Sequence, residues 1–248
     1  MYKTSVGKKP RVKHGASRDR VFKAAVRLIA RRGYSGVSVR DIARTARVNL
    51  AAVNYHFGGK AGLLRSIIEE FSERYYRALE TAMAGKAPMR EAVNSNISAI
   101  VGVYRDDIEL AIAAEKVLWM DIPEVHAAQI HLHRAHRADL DRWFASMGLD
   151  PKDLPRMAVA RGLITNLVGA HFTARYHYEN IISPATRKTL LGRGVRELTA
   201  KYDDDFYEEY CSHLTDLYLA GIEALASPPP ARRKPARRRT ATRSPRKS

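Results

Sequence analysis

Several features that mark other protein classes are missing from this chain. Its 248 residues include a single cysteine, Cys211, which excludes an internal disulfide and a zinc site built from several cysteines. No apolar run approaches the roughly 20 residues that a membrane-spanning helix needs. No apolar stretch follows the basic N-terminus, so we expect no signal peptide and a cytoplasmic protein.

Enzyme signatures are missing as well. The sequence shows no Gly-rich phosphate loop, no metal-ligand cluster and no paired acid–base residues. We therefore expect no catalytic residues, no cofactor and no bound metal. The functions left open are binding functions.

Positive charge is concentrated at the two ends of the chain. Residues 1–60 carry 15 Lys/Arg against 2 Asp/Glu, and residues 227–248 carry 9 against none. Residues 61–226 carry 19 against 24. Basic ends favour a nucleic-acid partner, because neutralised phosphates release counterions. Solubility, RNA or anionic lipid would also account for basic termini, so charge alone leaves the partner open.

Hydrophobic periodicity predicts an all-α chain with two domains and two disordered ends. The basic arm 1–16 and the Pro/Arg-rich tail 227–248 have too few apolar residues to fold. Between them we predict a DNA-binding domain at 17–62 and an effector-binding and dimerisation domain at 63–226. Predicted helices begin near Ser17, Ser38, Asn49 and Lys60 and then cover residues 88–104, 107–119, 123–147, 155–179, 203–226 and, more briefly, 185–199.

The segment Ser38–Phe57, SVRDIARTARVNLAAVNYHF, is the most informative part of the chain. It reads as two short amphipathic helices joined by a tight turn, with a capping-box-like Ser38 and Asp41 and an N-cap at Asn49. Val53, and with it Leu50, would face inward. This pattern is typical of a helix-turn-helix, whose second helix enters the major groove of DNA.

The exposed side chains of these helices suit DNA. Asn54 matches an adenine edge and Ala52 a thymine methyl. Ser38, Tyr55, His56 and Lys60 suit backbone phosphates, which fix register without reading sequence. Ordinary surface polarity beside a small core is the alternative for any one of them. The predicted DNA-binding residues are Ser38, Val39, Arg40, Arg47, Asn49, Leu50, Ala51, Ala52, Asn54, Tyr55, His56 and Lys60.

Residues 17–65 resemble the tetracycline-repressor (TetR/AcrR) family of bacterial transcriptional regulators. The likeness rests on AVRLIARRGYSGVSVRDIA followed by VNLAAVNYHFGGK. It implies an all-α homodimer with a DNA-binding head on a ligand-binding body. It further implies a four-helix dimer interface made by the last two long helices of each subunit, and a small molecule that releases the operator. The signature positions are Gly33-Tyr34, Ser38-Val39, Asp41-Ile42-Ala43, Val48, Tyr55-His56-Phe57 and Lys60.

Three features depart from that family pattern. Arg47 stands where the family usually has glycine, because the turn favours a positive φ; we expect about 1 kcal/mol of strain there and a possible phosphate contact in return. Ala61-Gly62 replaces a common acidic pair and weakens the start of the next helix. The Pro/Arg tail is absent from the pattern.

The body offers weaker signals. Burial within the subunit would explain the dimer candidates, and core packing alone would explain the ligand candidates. Some relatives with a similar VNLAAVNYHF segment respond to fatty acids or acyl thioesters, which favours a hydrophobic effector. The predicted dimer residues are Leu163, Leu167, Ala170, Ala174, Tyr210, Leu214, Leu217 and Tyr218, and the predicted ligand-binding residues are Trp119, Met120, Trp143, Phe144, Phe172 and Tyr176.

Histidines cluster near residues 126–136, but we place no carboxylate or thiol beside them and expect solvated or hydrogen-bonded side chains. Cys211 and His213 lie at i, i+2 and do not share a helix face, so Cys211 is expected in the core. The combined prediction is a nucleoid-associated transcriptional regulator, a repressor, that binds a palindromic operator in double-stranded DNA as a homodimer. The alternative is an architectural DNA-binding protein without an effector.

Overall fold

The computed structural model describes residues 14–84, 87–193 and 201–227. Within these ranges the chain forms α-helices and no β-strand, which confirms the predicted all-α class. None of the described helices is long and apolar enough to cross a bilayer. The helices are α1 His14–Arg32, α2 Val39–Ala46, α3 Leu50–Phe57, α4 Lys60–Met83, α5 Met89–Asp106, α6 Ile108–Leu118, α7 Pro123–Ser146, α8 Leu154–Asn180, α9 Pro184–Gly192 and α10 Asp204–Ala226.

Most helix bounds agree with the sequence-based prediction to within two residues. Helix α1 is the exception, because it begins at His14, so residues 14–16 of the predicted disordered arm are helical. The helix predicted at 185–199 is observed as α9, and its second half falls on residues 194–200, outside the described ranges. The rest of the predicted arm, residues 1–13, and residues 228–248 of the tail also lie outside them.

Local signals set the ends of the short helices in the head. At α2, Ser38 and Asp41 form the predicted capping box. At α3, the Asn49 side chain accepts a hydrogen bond from the Ala52 backbone amide at 2.8 Å. Gly58, with φ 69°, then ends α3 in the left-handed conformation that glycine tolerates best. Such caps satisfy backbone groups that a helix of eight residues cannot pair internally.

Two hydrophobic cores are stacked along α4. Leu63, Leu64, Ile67 and Ile68, in its first half, pack with α1–α3 in the head core. Leu79, in its second half, packs with α5, α8 and α10 in the body core. The predicted domain boundary after residue 62 therefore cuts into the head core, and α4 belongs to both units.

Helix α6 joins the same two cores. Its buried side chains, Leu110 and Val117 among them, pack against the head, whereas its Ala111 packs in the body. Helices α1 and α6 are in direct contact. The head is thus held to the body mainly through α4 and α6, and Val125 and Ala128 of α7 and Tyr176 of α8 also pack in the head core.

Candidate nucleic-acid interface and ligand cavity

Helix α2 begins with a closed hydrogen-bond ring between Ser38 and Asp41. The Ser38 hydroxyl accepts from the Asp41 amide at 3.1 Å and donates to Asp41 Oδ2 at 2.6 Å. The hydrogen bonds from Ser38 lower the pKa of Asp41. The ring occupies the single hydroxyl donor of Ser38, so a phosphate contact through that hydroxyl requires the ring to open.

The turn between α2 and α3 contains the backbone feature that the family resemblance implies. Arg47 has φ 55° and ψ 49°, and it is the one non-glycine residue with positive φ in the described ranges. The Val48 amide, which follows it, donates to Ala43 O at 3.0 Å and closes the turn. The Arg47 side chain is exposed and free of the protein core.

Helix α3 presents a small-residue face to solvent. Val53 is fully buried as expected, but Leu50 is 42% exposed, so the expectation that Leu50 also faces inward is wrong. Helix α3 is short, and its buried residues are Val53 and Phe57. Leu50, one turn before Val53, lies beyond the part of the head core that this helix contacts. Leu50 instead shares the outer face with the exposed residues Ala51, Asn54 and Tyr55.

Lys60, at the start of α4, is held by the head. Its Nζ donates to the Tyr34 carbonyl oxygen at 2.8 Å and lies 3.7 Å from the Tyr34 ring centre. Burial lowers the pKa of Lys60. Lys60 therefore ties α4 to the loop after α1, and the ammonium keeps further N–H groups for a phosphate. Lys60 and Tyr34 are both signature positions of the family resemblance, but nothing in the sequence indicated that they are in contact.

Arg40 and Val39, on α2, and His56, on α3, are also predicted DNA-binding residues. Arg40 is exposed on the first turn of α2, and Val39 is half-buried against the head core. The His56 ring lies edge-on between those of Tyr55 and Phe57, with centroids 5.1 Å and 6.4 Å away. Arg40 on α2 and Tyr55 on α3 are thus both exposed to solvent.

A cavity of about 270 Å³ lies in the body between α4, α5, α7, α8 and α10. Its walls are mostly aromatic and aliphatic, as ligand pockets usually are. Leu118, the last residue of α6, also lines it. The other lining residues are Phe71, Ser72, Tyr75, Tyr76, Leu79, Asn96, Ile100, His133, Leu140, Trp143, Phe144, Ala160, Arg161, Ile164, Thr165 and Tyr218.

Two of the six predicted ligand-binding residues, Trp143 and Phe144, line this cavity. Trp119 is 84% exposed, and Met120 lies in the turn beside it. Phe172 is stacked in the body core, and Tyr176 is buried in the head core. Sequence reasoning missed the α4 wall, although Phe71, Tyr75 and Leu79 recur at the four-residue spacing of one helix face.

One end of the cavity is polar. The Arg161 guanidinium is hydrogen-bonded to Asp141 Oδ1, and Asp141 Oδ2 lies 3.4 Å from Arg137 Nε. Burial, followed by the charges of Arg161 and Arg137, lowers the pKa of His133. Burial raises the pKa of Tyr76 to about 12, against the opposing charge of Arg161. Neutral His133 and Tyr76 therefore lie beside a guanidinium.

Helices α8 and α10 expose apolar side chains on one surface. Leu167 is 37% exposed and Leu217 is 53% exposed. Ala170 and Ala174 are also exposed, and Leu163, Tyr210 and Leu214 are half-buried. Tyr218 is different, because it is buried, lines the cavity and donates to Ala160 O at 3.2 Å. Its place is inside the subunit and not on the predicted dimer surface.

Specific contacts join α6 to α1. Lys116 Nζ donates to the Ala30 carbonyl oxygen at 2.5 Å, in the last turn of α1. Arg27 Nε lies 3.4 Å from Glu109 Oε2. Lys116 is two residues from Leu118 in the cavity wall. The end of α1 and the cavity are therefore separated by one short stretch of α6.

The structure corrects the description of the histidines. His136 Nδ1 lies 2.7 Å from Glu80 Oε1, and His126 Nε2 lies 3.5 Å from Asp121 Oδ1, so two of them do have carboxylate neighbours. Glu80 lies on α4, far from His136 in the sequence, whereas Asp121 lies in the α6–α7 turn, five residues before His126. No group of three potential metal ligands occurs among the described residues. Cys211 is buried in the body core, as expected.

Comparisons with known proteins agree with this geometry. Residues 21–67, which are the head, match the family described as "Bacterial regulatory proteins, tetR family". "Probable HTH-type transcriptional regulator YttP" of Bacillus subtilis (strain 168) is 45% identical over 67 residues, or 27% of this chain and 32% of that protein. "HTH-type transcriptional regulator BetI" of Cronobacter sakazakii is 27% identical over 175 residues, or 68% of this chain and 83% of that protein. In its match to YttP, the chain spans about a third of the relative's length.

Solved structures share the whole fold. A TetR family transcription regulator from Marinobacter aquaeolei VT8 superposes with a TM-score of 0.60 at 18% identity, over 85% of this chain and 97% of that one. The transcriptional regulator FadR from Bacillus subtilis, in complex with stearoyl-CoA, gives 0.54 at 21% identity, over 84% and 97%. At these identities the likeness establishes the arrangement of head and body and nothing finer.

Proposed function

We propose that this chain, whose residues 21–67 match the tetR family of bacterial regulatory proteins, is a ligand-responsive transcriptional regulator of the cytoplasm. It binds double-stranded DNA through α2 and α3, and a small apolar molecule in the body cavity weakens that binding. The biological outcome of this arrangement is repression that the ligand relieves.

The observation that carries the proposal is the course of α4. Its first half packs in the head core beneath the exposed face of α3, and its second half supplies Phe71, Tyr75 and Leu79 to the cavity wall. A ligand that shifts the wall therefore acts on the same rigid helix that carries the head. Such a ligand changes DNA affinity only as far as it prefers the body shape that binds DNA poorly.

Recognition of a palindrome follows from pairing two copies of the chain. We propose that the exposed apolar surface of α8 and α10 forms a four-helix interface with the same surface of a second copy. Burial of Leu167 and Leu217 would remove apolar side chains from water. The two α3 helices would then enter successive major grooves about 34–36 Å apart.

A hydrophobic effector is supported by the walls of the cavity and by one structural relative. The cavity is lined mainly by aromatic and aliphatic side chains, and the FadR structure from Bacillus subtilis contains stearoyl-CoA. We therefore propose an effector with an apolar body. At about 270 Å³ the cavity is slightly smaller than the roughly 300–1,000 Å³ typical of small-molecule sites, which favours a compact ligand.

The test begins with selection of bound sequences from a random DNA pool by the full-length protein. A palindromic consensus is expected, and a gel-shift titration of that sequence with acyl chains of increasing length then tests release. Loss of the shift with at least one chain length supports the proposal. Enrichment of no sequence, or no response across the whole series, contradicts the DNA-binding part or the effector part respectively.

A further inference from the structure

We propose that the body cavity binds a small monocarboxylate, whose anionic group pairs with Arg161 and whose apolar remainder lies against the aromatic wall. The proposal rests on the function proposed above and names the chemical class of its effector. It is carried by the charges and hydrogen bonds at the polar end of the cavity.

The first observation is a surplus of positive charge. Asp141 is shared by two arginines, Arg161 and Arg137, so one carboxylate faces two guanidiniums. Nearby His133 is kept neutral because burial and these two cations lower its pKa. Of the acids nearby, Asp139 is paired with Arg142, and Glu80 on α4 lies 2.7 Å from His136 Nδ1. The group of Arg161, Arg137 and Asp141 therefore carries one net positive charge beside the cavity, which favours an anion.

The second observation is an unsatisfied donor on Arg161. Its Nε is shielded from solvent and has no hydrogen-bond partner, while another guanidinium nitrogen bonds Asp141. Buried polar groups in proteins are usually paired, so an unpaired one calls for an explanation. A carboxylate is an acceptor of the right shape, because it can take two parallel N–H bonds from one guanidinium.

The Arg161 guanidinium can exchange the Asp141 carboxylate for a ligand carboxylate with little loss of electrostatic energy. When Arg161 turns towards a ligand, Asp141 keeps its contact with Arg137, on the more exposed side of the pair. The ligand carboxylate would replace Asp141 as the acceptor for Arg161. Binding would thus convert a carboxylate shared by two cations into two separate ion pairs.

The lining of the rest of the cavity contacts the apolar part of the ligand. Tyr76, Trp143 and Phe144 provide ring surfaces, and Leu140 and Ile164 provide aliphatic contacts. Apolar walls discriminate weakly between similar carbon skeletons, whereas a charged group discriminates strongly against a ligand that lacks its counter-ion. The acid group is therefore the feature of the ligand that this structure specifies.

The experiment titrates full-length protein, in the absence of DNA, with straight-chain acids of four to ten carbons and with 3-phenylpropionate. Each acid is compared with its own primary amide, which keeps the shape but not the charge. Trp143 fluorescence reports binding in a Trp119→Phe background, because the sequence has only these two tryptophans. At least one acid is expected to bind tenfold or more tightly than its amide, as confirmed by calorimetry.

Two variants should change the preference for the acid over the amide in opposite directions. Arg161→Gln should remove the preference for the acid over the amide, and Asp141→Asn should strengthen it, because the competing carboxylate is gone. Arg137→Gln leaves Asp141 with Arg161 as its cationic partner and should weaken the preference. Lys152→Gln, at an exposed lysine in the α7–α8 loop, is the control and should keep it. Arg161→Lys retains the charge and replaces Arg161→Gln if circular dichroism shows that the glutamine variant does not fold; it should keep part of the preference.

The proposal is overturned if no acid binds, if amides bind as tightly as acids, or if the preference survives in Arg161→Gln. Amides that bind and also release DNA would leave the regulatory function standing and remove only the carboxylate. If instead the protein bound DNA without sequence selectivity, the regulatory function would be contradicted. The acid titration would still test whether the cavity binds a carboxylate.

Discussion

Arg47 has a strained, left-handed backbone conformation in the turn between α2 and α3. Its φ of 55° costs an L-residue with a long side chain about 1–2 kcal/mol relative to glycine. The side chain makes no contact with the core that would offset this cost. We infer that a phosphate contact is the reason for an arginine at this turn.

Replacing Arg47 by asparagine separates the two effects. Asparagine tolerates the left-handed conformation, so Arg47→Asn should leave the free energy of unfolding unchanged or raise it by up to about 1 kcal/mol. DNA affinity should fall equally for all sequences, and the salt slope should decrease by about one. Arg47→Lys, which keeps the charge, should retain most of the affinity. Chemical denaturation and salt-dependent DNA titrations measure both quantities, and unchanged DNA binding in Arg47→Asn would contradict the phosphate contact.

At the scale of the helix, α6 is a second connection between cavity and head, beside α4. Lys116 caps the last turn of α1 through Ala30, and Leu118 lines the cavity. A lysine on a C-terminal carbonyl also interacts favourably with the helix dipole. Movement of Leu118 by a ligand would therefore pull on the end of α1.

The variant Lys116→Met should uncouple the two sites. Ligand and DNA should each still bind, but the factor by which ligand weakens DNA binding should drop several-fold from its wild-type value, which in such systems is about 5–150-fold. DNA titrations with and without saturating ligand give this factor directly. Lys152→Met, at an exposed lysine in the α7–α8 loop, is the matched control. A wild-type coupling factor in Lys116→Met would show that α4 alone carries the signal.

Helices α8 and α10 make a separate prediction about assembly. Leu217→Glu places two charges in the proposed four-helix interface and removes two leucines. Each leucine, 53% exposed in the subunit, would gain about half of the roughly 1.5–3 kcal/mol of full burial. The dimer dissociation constant should rise at least about tenfold, since 1.4 kcal/mol corresponds to a factor of ten. Ile130→Glu on α7, at a side chain of similar exposure, should leave assembly unchanged. Sedimentation equilibrium measures both, and an unaffected dimer in Leu217→Glu would place the interface elsewhere.

The sequence predicted the helices well and the contacts between side chains of different helices poorly. Periodicity and caps located the helices because they are local in the chain, as the capping box of Ser38 and Asp41 illustrates. The positive φ at Arg47 followed from a family pattern. Contacts such as Lys60 with Tyr34, or Arg161 with Asp141, depend on how helices cross, which spacing does not encode. For the same reason Tyr218 was assigned to a dimer surface although it faces the cavity.

The whole molecule combines a basic head with an acidic body and a basic tail. Residues 228–248 carry nine Lys/Arg and no Asp/Glu, and the architectural alternative assigns them most of the DNA affinity. If the head reads the operator, deletion of 228–248 should weaken all DNA binding and flatten its salt dependence while sequence preference is kept. Titrations of specific and random DNA at several salt concentrations distinguish the two. Loss of nearly all affinity on deletion would favour the architectural protein.

The most direct test of the central claim is the ratio of affinities for the selected palindrome and for random DNA of equal length, measured at physiological salt. Sequence-specific regulators of this kind reach ratios of about 10³ or more. Asn54→Ala, on the exposed face of α3, should lower the ratio by relaxing one or two base positions, at about 1–3 kcal/mol each. A ratio near one for the wild-type protein, or an Asn54→Ala variant with an unchanged ratio, would contradict recognition of DNA sequence by α3.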